Sequence, residues 1–380
     1  MFRKILSGIA GYIRAVDKLL ILAILALSAF GVLAVSSATA NNADYDRTRC
    51  VTIQIAAIVL GLIVMVILSK LDYEVLGEIS PIFIAISVLV LLYTAFFGTV
   101  VNGNRNWIDL KFIMVQPSEF TKTVFALTMA THLKKLGKDL NKIKNLALVL
   151  LHFACYAVPI VLQKDIGTVL IYLGMFVAML FVAGIYYRYI AIFAVLGVAA
   201  VPLIWPRLGE YQQARIIYGF QPELDPLGYG LQPIVSKIAI GSGGLKGMGY
   251  GNGIQNQNSL LPEKATDFIF SIIGEEFGFI GCMAVMVLLV IIAALVIKNG
   301  ILAKDKAGTY ICVAAGVMLL LQSCINIGMC VGLSPVIGVT LPFVSYGGSS
   351  VLSLFFCMGL VQGVRIKPDR VLSFSRKRRR

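Results

Sequence analysis

Charge is scarce in this sequence: Asp, Glu, Lys and Arg together make up 14% of the 380 residues, with 19 acidic against 33 basic. Histidine is scarcer still, and its two positions, His132 and His152, form no H-E-x-x-H zinc motif. There is no P-loop and no well-placed dinucleotide fingerprint, so nothing supports nucleotide hydrolysis. The seven cysteines, Cys50, Cys155, Cys282, Cys312, Cys324, Cys330 and Cys357, lie in or beside apolar runs without a C-x-x-C pair. That pattern assigns them to packing. No strong internal repeat is visible. No secretory signal is convincing either, because the first apolar run, Leu19 to Ala38, is long enough to span a bilayer and has no clear cleavage site.

What the chain has is apolar length. A hydrophobic fraction of 58% and a mean hydropathy of +0.88 exclude an ordinary soluble domain and predict an all-α integral membrane protein. Apolar runs separated by polar or glycine-rich breaks give ten candidate spans, at 17–38, 50–69, 79–98, 118–136, 146–162, 165–185, 189–206, 266–298, 309–332 and 347–365. They read as a single membrane domain over 1–380, with a long extracellular loop at 207–265, between spans 7 and 8, and a basic cytoplasmic tail at 366–380. The net charge of +14 does not point to nucleic acid, because it is distributed by side. Arg3, Lys4, Arg14 and Lys18, the run Lys134, Lys135, Lys138, Lys142 and Lys144, the trio Lys298, Lys304 and Lys306, and the tail Arg376 to Arg380 all fall on one side. By the positive-inside rule both termini are cytoplasmic, where these charges also meet anionic membrane lipids.

Three carboxylates besides Glu263, namely Asp267, Glu275 and Glu276, gather at the mouth of the apolar run Phe277 to Ile297. Extending one helix back from Phe277 places Asp267 roughly 15 Å above it, near the headgroups. On that helix at most one of Glu275 and Glu276 shares the Asp267 surface. A solvated acidic collar is the plain alternative, but the preceding stretch Gly241 to Gly253 is rich in glycine and can turn sharply or pack closely. A flexible loop beside an acid marks a ligand site.

The loop at 207–265 is rich in Gly, Pro and amides and is expected to carry short interfacial helices, one near Ile234 to Ile240. Pro117 starts a helix on which Glu119 and Lys122 are three residues apart and face the same way, an ion pair inside an apolar segment. Asp165 is placed to cap the following helix. Ser334 to Ser350 is apolar yet broken by Pro and Gly, so it is expected to be re-entrant and to line a cavity.

These residues together carry a family likeness. The motifs are N-G-x-x-x-W-I at Asn102 to Ile108, Q-P-S-E-x-x-K at Gln116 to Lys122, D-x-G-T at Asp165 to Thr168 and S-K-I-A-I-G-S-G-G-x-x-G at Ser236 to Gly247. P-E-x-x-T-D-F-I-F at Pro262 to Phe270, G-E-E-x-G at Gly274 to Gly278 and L-P-F-x-S-Y-G-G-S-S at Leu341 to Ser350 complete them. The chain resembles the SEDS family, the group that includes RodA, FtsW and SpoVE, over nearly its whole length. Pro222 to Gly230 and Ile325 to Met329 look more like RodA than FtsW. The resemblance implies a ten-span peptidoglycan glycosyltransferase in the bacterial cytoplasmic membrane, polymerising lipid II into glycan strands on the outer face. It also implies a class B penicillin-binding protein as transpeptidase partner. Three positions depart from the family pattern: Asn106 where arginine is usual, Lys164 where proline is usual and Ala265 where histidine is usual.

Joining two lipid-linked sugars needs a base for the acceptor hydroxyl and positive charge for the departing diphosphate. Asp267 is the expected base, or a ligand for Mg²⁺ or Mn²⁺, although no ligand cage is visible. Lys122, held by Glu119, is the first candidate for contacting diphosphate or tuning the site. Arg215 and Lys237 are further candidates, and Glu275 and Ser345 are expected to support the site. A lipid flippase, a non-catalytic scaffold and a division- or sporulation-type polymerase are the competing readings. One buried ion pair is a poor polar path across ~30 Å of hydrocarbon, and a scaffold leaves the outer acidic and glycine-rich cluster unexplained.

Overall fold

A computed structural model describes residues 11–12, 14–40, 46–111 and 113–366. Arg3, Lys4 and the basic tail from 367 onward lie outside the described residues. The chain is a helical membrane protein. Its long helices are α1 (Lys18–Ala38) and α2 (Arg47–Lys70), then, after the short α3 (Tyr73–Glu78), α4 (Ser80–Phe97), α5 (Pro117–Leu136), α6 (Ile143–Leu162), α7 (Ile166–Ala183) and α8 (Tyr187–Ile204). Within the long loop lie α9 (Glu210–Phe220), α10 (Leu231–Ser242) and the short α11 (Ile254–Gln257), and past it come α12 (Ile269–Ile301), α13 (Lys306–Val331) and α14 (Gly348–Ile366).

Each of the ten apolar runs is a helix, and eight of these helices are long and apolar enough to cross a membrane. The exceptions are α5, which carries Glu119, Lys122, Lys134 and Lys135, and α8, whose apolar stretch is Tyr187–Leu203. Helix starts follow local chemistry. Asp17, Asp46, Asp165 and Asp305 accept hydrogen bonds from the first free amides of α1, α2, α7 and α13. Proline occupies the first turn of α4 and α5, where its missing N–H costs nothing. The α2 and α4 surfaces are largely exposed apolar side chains such as Leu60, Ile63, Ile86 and Leu89, as a lipid solvent requires. By contrast α13 and α14 are mostly buried and form the centre of the bundle.

Two departures from an all-helical reading position the site. The segment after α4 folds into a small antiparallel sheet, β1 (Thr99–Val101), β2 (Asn104–Asp109) and β3 (Met114–Val115), in the order β1-β2-β3. The second departure is that α12 does not reach back to Asp267. It begins at Ile269 and is interrupted at Gly278, which adopts φ 66°, ψ −163°. The Gly-rich loop fills the break as a strand would: Met248 and Gly249 donate to the Glu275 and Glu276 carbonyls, and Phe279 and Ile280 donate to the Gly244 and Leu245 carbonyls.

The backbone of Gly278 is one that L side chains avoid, and a Cβ there would run into the Gly247 amide nitrogen. Gly278→Ala therefore adds a backbone collision to a strained conformation that alone costs of order 1–3 kcal/mol. The expected result is a large drop in the thermal midpoint of the detergent-purified protein. An unchanged midpoint would show that the loop is not locked to the break.

Candidate active site

Asp267 lies in the turn just ahead of α12. That turn is wound around one carbonyl, because the amides of Thr266, Asp267 and Phe268 all donate to the oxygen of Glu263, itself at φ 52°. The re-entrant segment, irregular from Ser334 to Gly347, clamps the turn. Ser345 Oγ donates to the Thr266 carbonyl at 2.6 Å and accepts from the Leu341 amide, while the Tyr346 amide donates to the Ala265 carbonyl at 2.8 Å. From α13, Asn326 Nδ2 donates to the Asp267 carbonyl at 2.7 Å. The backbone around Asp267 is thus held from two other elements.

The Asp267 carboxylate faces a cleft of about 560 Å³. The β1–β2 turn, β2 and the stretch leading to α5 line it with Asn102, Asn106, Trp107, Lys111 and Gln116. Gly338, Thr340, Tyr346 and the first residues of α14, Gly348 to Ser350, line it too. Arg49 and Arg215 add cations to the lining, and Asp109 and Glu263 add carboxylates. Burial pushes the Asp267 carboxyl up to about 6; the Arg215 guanidinium opposes this, and the carboxylates of Glu263 and Asp165 add to it. Three cationic side chains, Arg49, Lys111 and Arg215, and the N-terminus of a 19-residue helix therefore share the cleft with three carboxyls, Asp109, Glu263 and Asp267. Of these groups the cations and the helix N-terminus are the ones that suit a phosphorylated ligand.

The expected site residues do not all meet here. Asp267 and Arg215 line the cleft, and Ser345 supports the turn behind it. Lys122 is not in the lining: it is 1% exposed and its Nζ lies 2.7 Å from Glu119 Oε1. Glu119 Oε2 accepts from Ser353 Oγ at 3.2 Å, so the pair joins α5 to α14. In the structure the Lys122 ammonium is turned to this cross-helix contact and not to the cleft. Lys237 is also outside the lining and sits 3.7 Å from Glu223. Glu275 accepts from the amides of Gln255 and Asn256, and Glu276 accepts from Ser37 and Asn256. Both acids serve the loop, and neither shares the Asp267 surface.

The three unusual positions have local accounts. Asn106 Nδ2 donates to Asp165 Oδ2 at 2.7 Å, Gln116 Nε2 donates to the same oxygen at 3.0 Å, and Asp165 Oδ1 caps α7 through the Thr168 amide. This buried carboxylate is satisfied by amides. Lys164 has φ 64°, a conformation closed to proline, so the link bends in its own way. Ala265 is fully buried and contributes only its carbonyl to the Tyr346 contact.

Arg49, Lys111, Glu263 and the amide pair on Asp165 were not singled out from sequence. Only the folded cleft unites residues so far apart in the chain. The buried Lys264 was missed too. Its Nζ donates to the carbonyl and Oδ1 of Asn256, and burial lowers its pKa against the pull of Glu275 and Glu276.

The family model described as "Cell cycle protein", FtsW/RodA/SpoVE, matches residues 17–369. The chain belongs to the FtsW/RodA/SpoVE family. Within it, the chain is 35% identical over 357 residues to peptidoglycan glycosyltransferase MrdB of Escherichia coli (strain K12), covering 92% of this chain and 93% of that one. It is also 35% identical over 355 residues to stage V sporulation protein E of Bacillus subtilis (strain 168), covering 92% and 96%. A solved chain described as "Structural coordination of polymerization and crosslinking by a peptidoglycan synthase complex" superposes with a TM-score of 0.79 at 28% identity, covering 92% of this chain and 97% of that chain.

Proposed function

We propose that this protein is a peptidoglycan glycosyltransferase that polymerises lipid II at the outer face of the bacterial cytoplasmic membrane, in support of cell elongation and shape. The observation that carries the reading is the Asp267 carboxyl, on a turn whose backbone is held by Ser345, Tyr346 and Asn326 and facing a cleft that also holds Arg49, Lys111 and Arg215. In its ionised form Asp267 takes the proton from the acceptor sugar hydroxyl as that oxygen attacks the donor's anomeric carbon. The bond from that carbon to the lipid diphosphate breaks, and Arg49, Lys111, Arg215 and the α14 amides stabilise the charge that leaves. The likeness to MrdB of Escherichia coli and the family motifs support the choice of substrate.

Among the described residues no group of three His, Cys, Asp or Glu side chains could hold a metal ion. The cleft therefore suits Mg²⁺ or Mn²⁺ only with diphosphate oxygens as co-ligands, Asp267 and Glu263 supplying the protein's share. Such an ion would neutralise charge on the leaving group. A class B penicillin-binding protein as partner is supported by the likeness to a chain from a complex that couples polymerization to crosslinking.

Purified protein given fluorescent lipid II, with and without that partner, is expected to produce glycan ladders on a gel. Transport of lipid II across a liposome bilayer without ladders would favour the flippase reading. The placement of the cleft has its own check. Tags between Lys134 and Lys144 are expected to label from the cytoplasm and tags at Gly251 from outside, following the one-sided distribution of lysine. The reverse pattern would put Asp267 on the wrong side for this reaction.

A further inference from the structure

Beside the cleft, α9 carries Tyr211, Arg215 and Tyr218 at spacings of four and three residues, which is one face of a helix. The Arg215 guanidinium stands over the Tyr211 ring at 5.0 Å. Tyr211 meets Tyr229 edge to face at 5.8 Å, and Tyr229 stacks on Tyr218 at 6.1 Å with the planes 3° apart. Tyr229 is fixed by its amide, which donates to Asp225 Oδ2 at 2.9 Å. None of the three rings belongs to the hydrophobic core, and Tyr229 is 45% exposed.

This row of rings begins at the cleft. Arg215 itself lines it, and Tyr211 packs against Gly103, where a Cβ would come within 2.8 Å of the ring. Gly103 lies between the cleft-lining Asn102 and Asn104. Pyranose rings present apolar C–H faces flanked by hydroxyls. Tyrosine offers the matching surface, a flat apolar ring with a polar tip that can reach those hydroxyls. A catalyst that adds units to one strand must also hold the saccharides already joined, or each product departs after one coupling.

We propose that Tyr211, Tyr218 and Tyr229 form a saccharide-binding platform that holds the growing glycan strand as it leaves the cleft. The proposal rests on the polymerase reading and adds to it a determinant of strand length. Arg215 links the two regions, because one guanidinium both lines the cleft and covers the first ring of the platform. Tyr218 and Tyr229 do not line the cleft and are the cleanest places to test it.

The test compares the parent protein with the Tyr218→Ala/Tyr229→Ala and Tyr218→Phe/Tyr229→Phe pairs, using fluorescent lipid II and gel separation of the strands. Loss of two stacking rings is expected to shorten the mean strand about five-fold, the scale of a lost aromatic contact, with a smaller fall in the initial rate of lipid II consumption. The phenylalanine pair is expected to keep most of the parent's length. Strands of parent length from the alanine pair would overturn the proposal, including where lipid-borne quenchers show the tyrosines to be headgroup anchors. A second measurement needs no variant and no catalysis. Saturation-transfer NMR on the parent in nanodiscs should show contact with a peptide-free β-1,4-linked N-acetylhexosamine oligomer, and none would overturn the platform even if the alanine pair fails to fold. Absence of ladders from the parent would instead sink the polymerase reading, while oligomer binding would still report on the platform.

Discussion

Asp267→Asn is expected to abolish visible glycan ladders while leaving the protein folded and able to bind lipid II. Asparagine keeps the size of the side chain and one acceptor oxygen, but it cannot take a proton. Removing a positioned general base costs about 10²- to 10⁴-fold in rate. The contacts that hold the turn are made by backbone groups, the Asp267 amide and carbonyl and the Thr266 and Ala265 carbonyls, so the substitution leaves them intact. Asp267→Glu keeps the charge but moves it by one methylene, and a misplacement of ~1 Å can itself cost about 10²-fold. Polymerisation by the asparagine variant at the parent's rate would remove Asp267 from the chemistry. Loss of expression together with lipid II binding would make the residue structural.

The same carboxyl sets a pH dependence. Burial raises it from 3.8 to about 6, so the reactive ionised form grows as pH rises through 6 and activity follows the ascending limb to a plateau. Stability runs the other way. The folded state holds this proton more tightly than the unfolded chain does, so the residue's contribution is fully present below about pH 3.8 and is lost as pH climbs through 6. The Arg215 guanidinium favours the ionised form. Removing that guanidinium is therefore expected to move the activity limb upward.

The helices were legible in the sequence because apolar length is a one-dimensional property, and so were the aspartate caps and the prolines at helix starts. The break in α12 was not. Gly278 lies in an uninterrupted apolar run, and its break depends on hydrogen bonds from residues 244–249. Asp267 could be picked out by its motif and its place at the mouth of that run. Its cationic surroundings could not be read the same way. Arg49 precedes it by more than two hundred residues, and an arginine near a helix start looks like any solvated charge. The surroundings of Lys122 could not be read for a related reason. Spacing correctly paired it with Glu119, but spacing does not say whether a helical face meets a cavity or another helix.

That pair carries the second large effect. Lys122→Ala leaves the Glu119 carboxylate buried with the Ser353 hydroxyl as its remaining hydrogen-bond partner. Removing one member of a buried ion pair typically costs about 3–5 kcal/mol. The expected outcome is a sharply lower thermal midpoint and a loss of activity that follows from it. Arginine at the same position keeps the charge but brings a larger planar group into a site sized for an ammonium, so it should rescue poorly. Replacing both charges, as Glu119→Gln with Lys122→Met, removes the uncompensated charge and should restore most of the midpoint. The restored protein separates two roles. If the pair only ties α5 to α14, whose first residues line the cleft, activity returns with stability. If Lys122 acts on the substrate, the stable double variant stays inactive, and a parent-like midpoint in Lys122→Ala would refute the structural role outright.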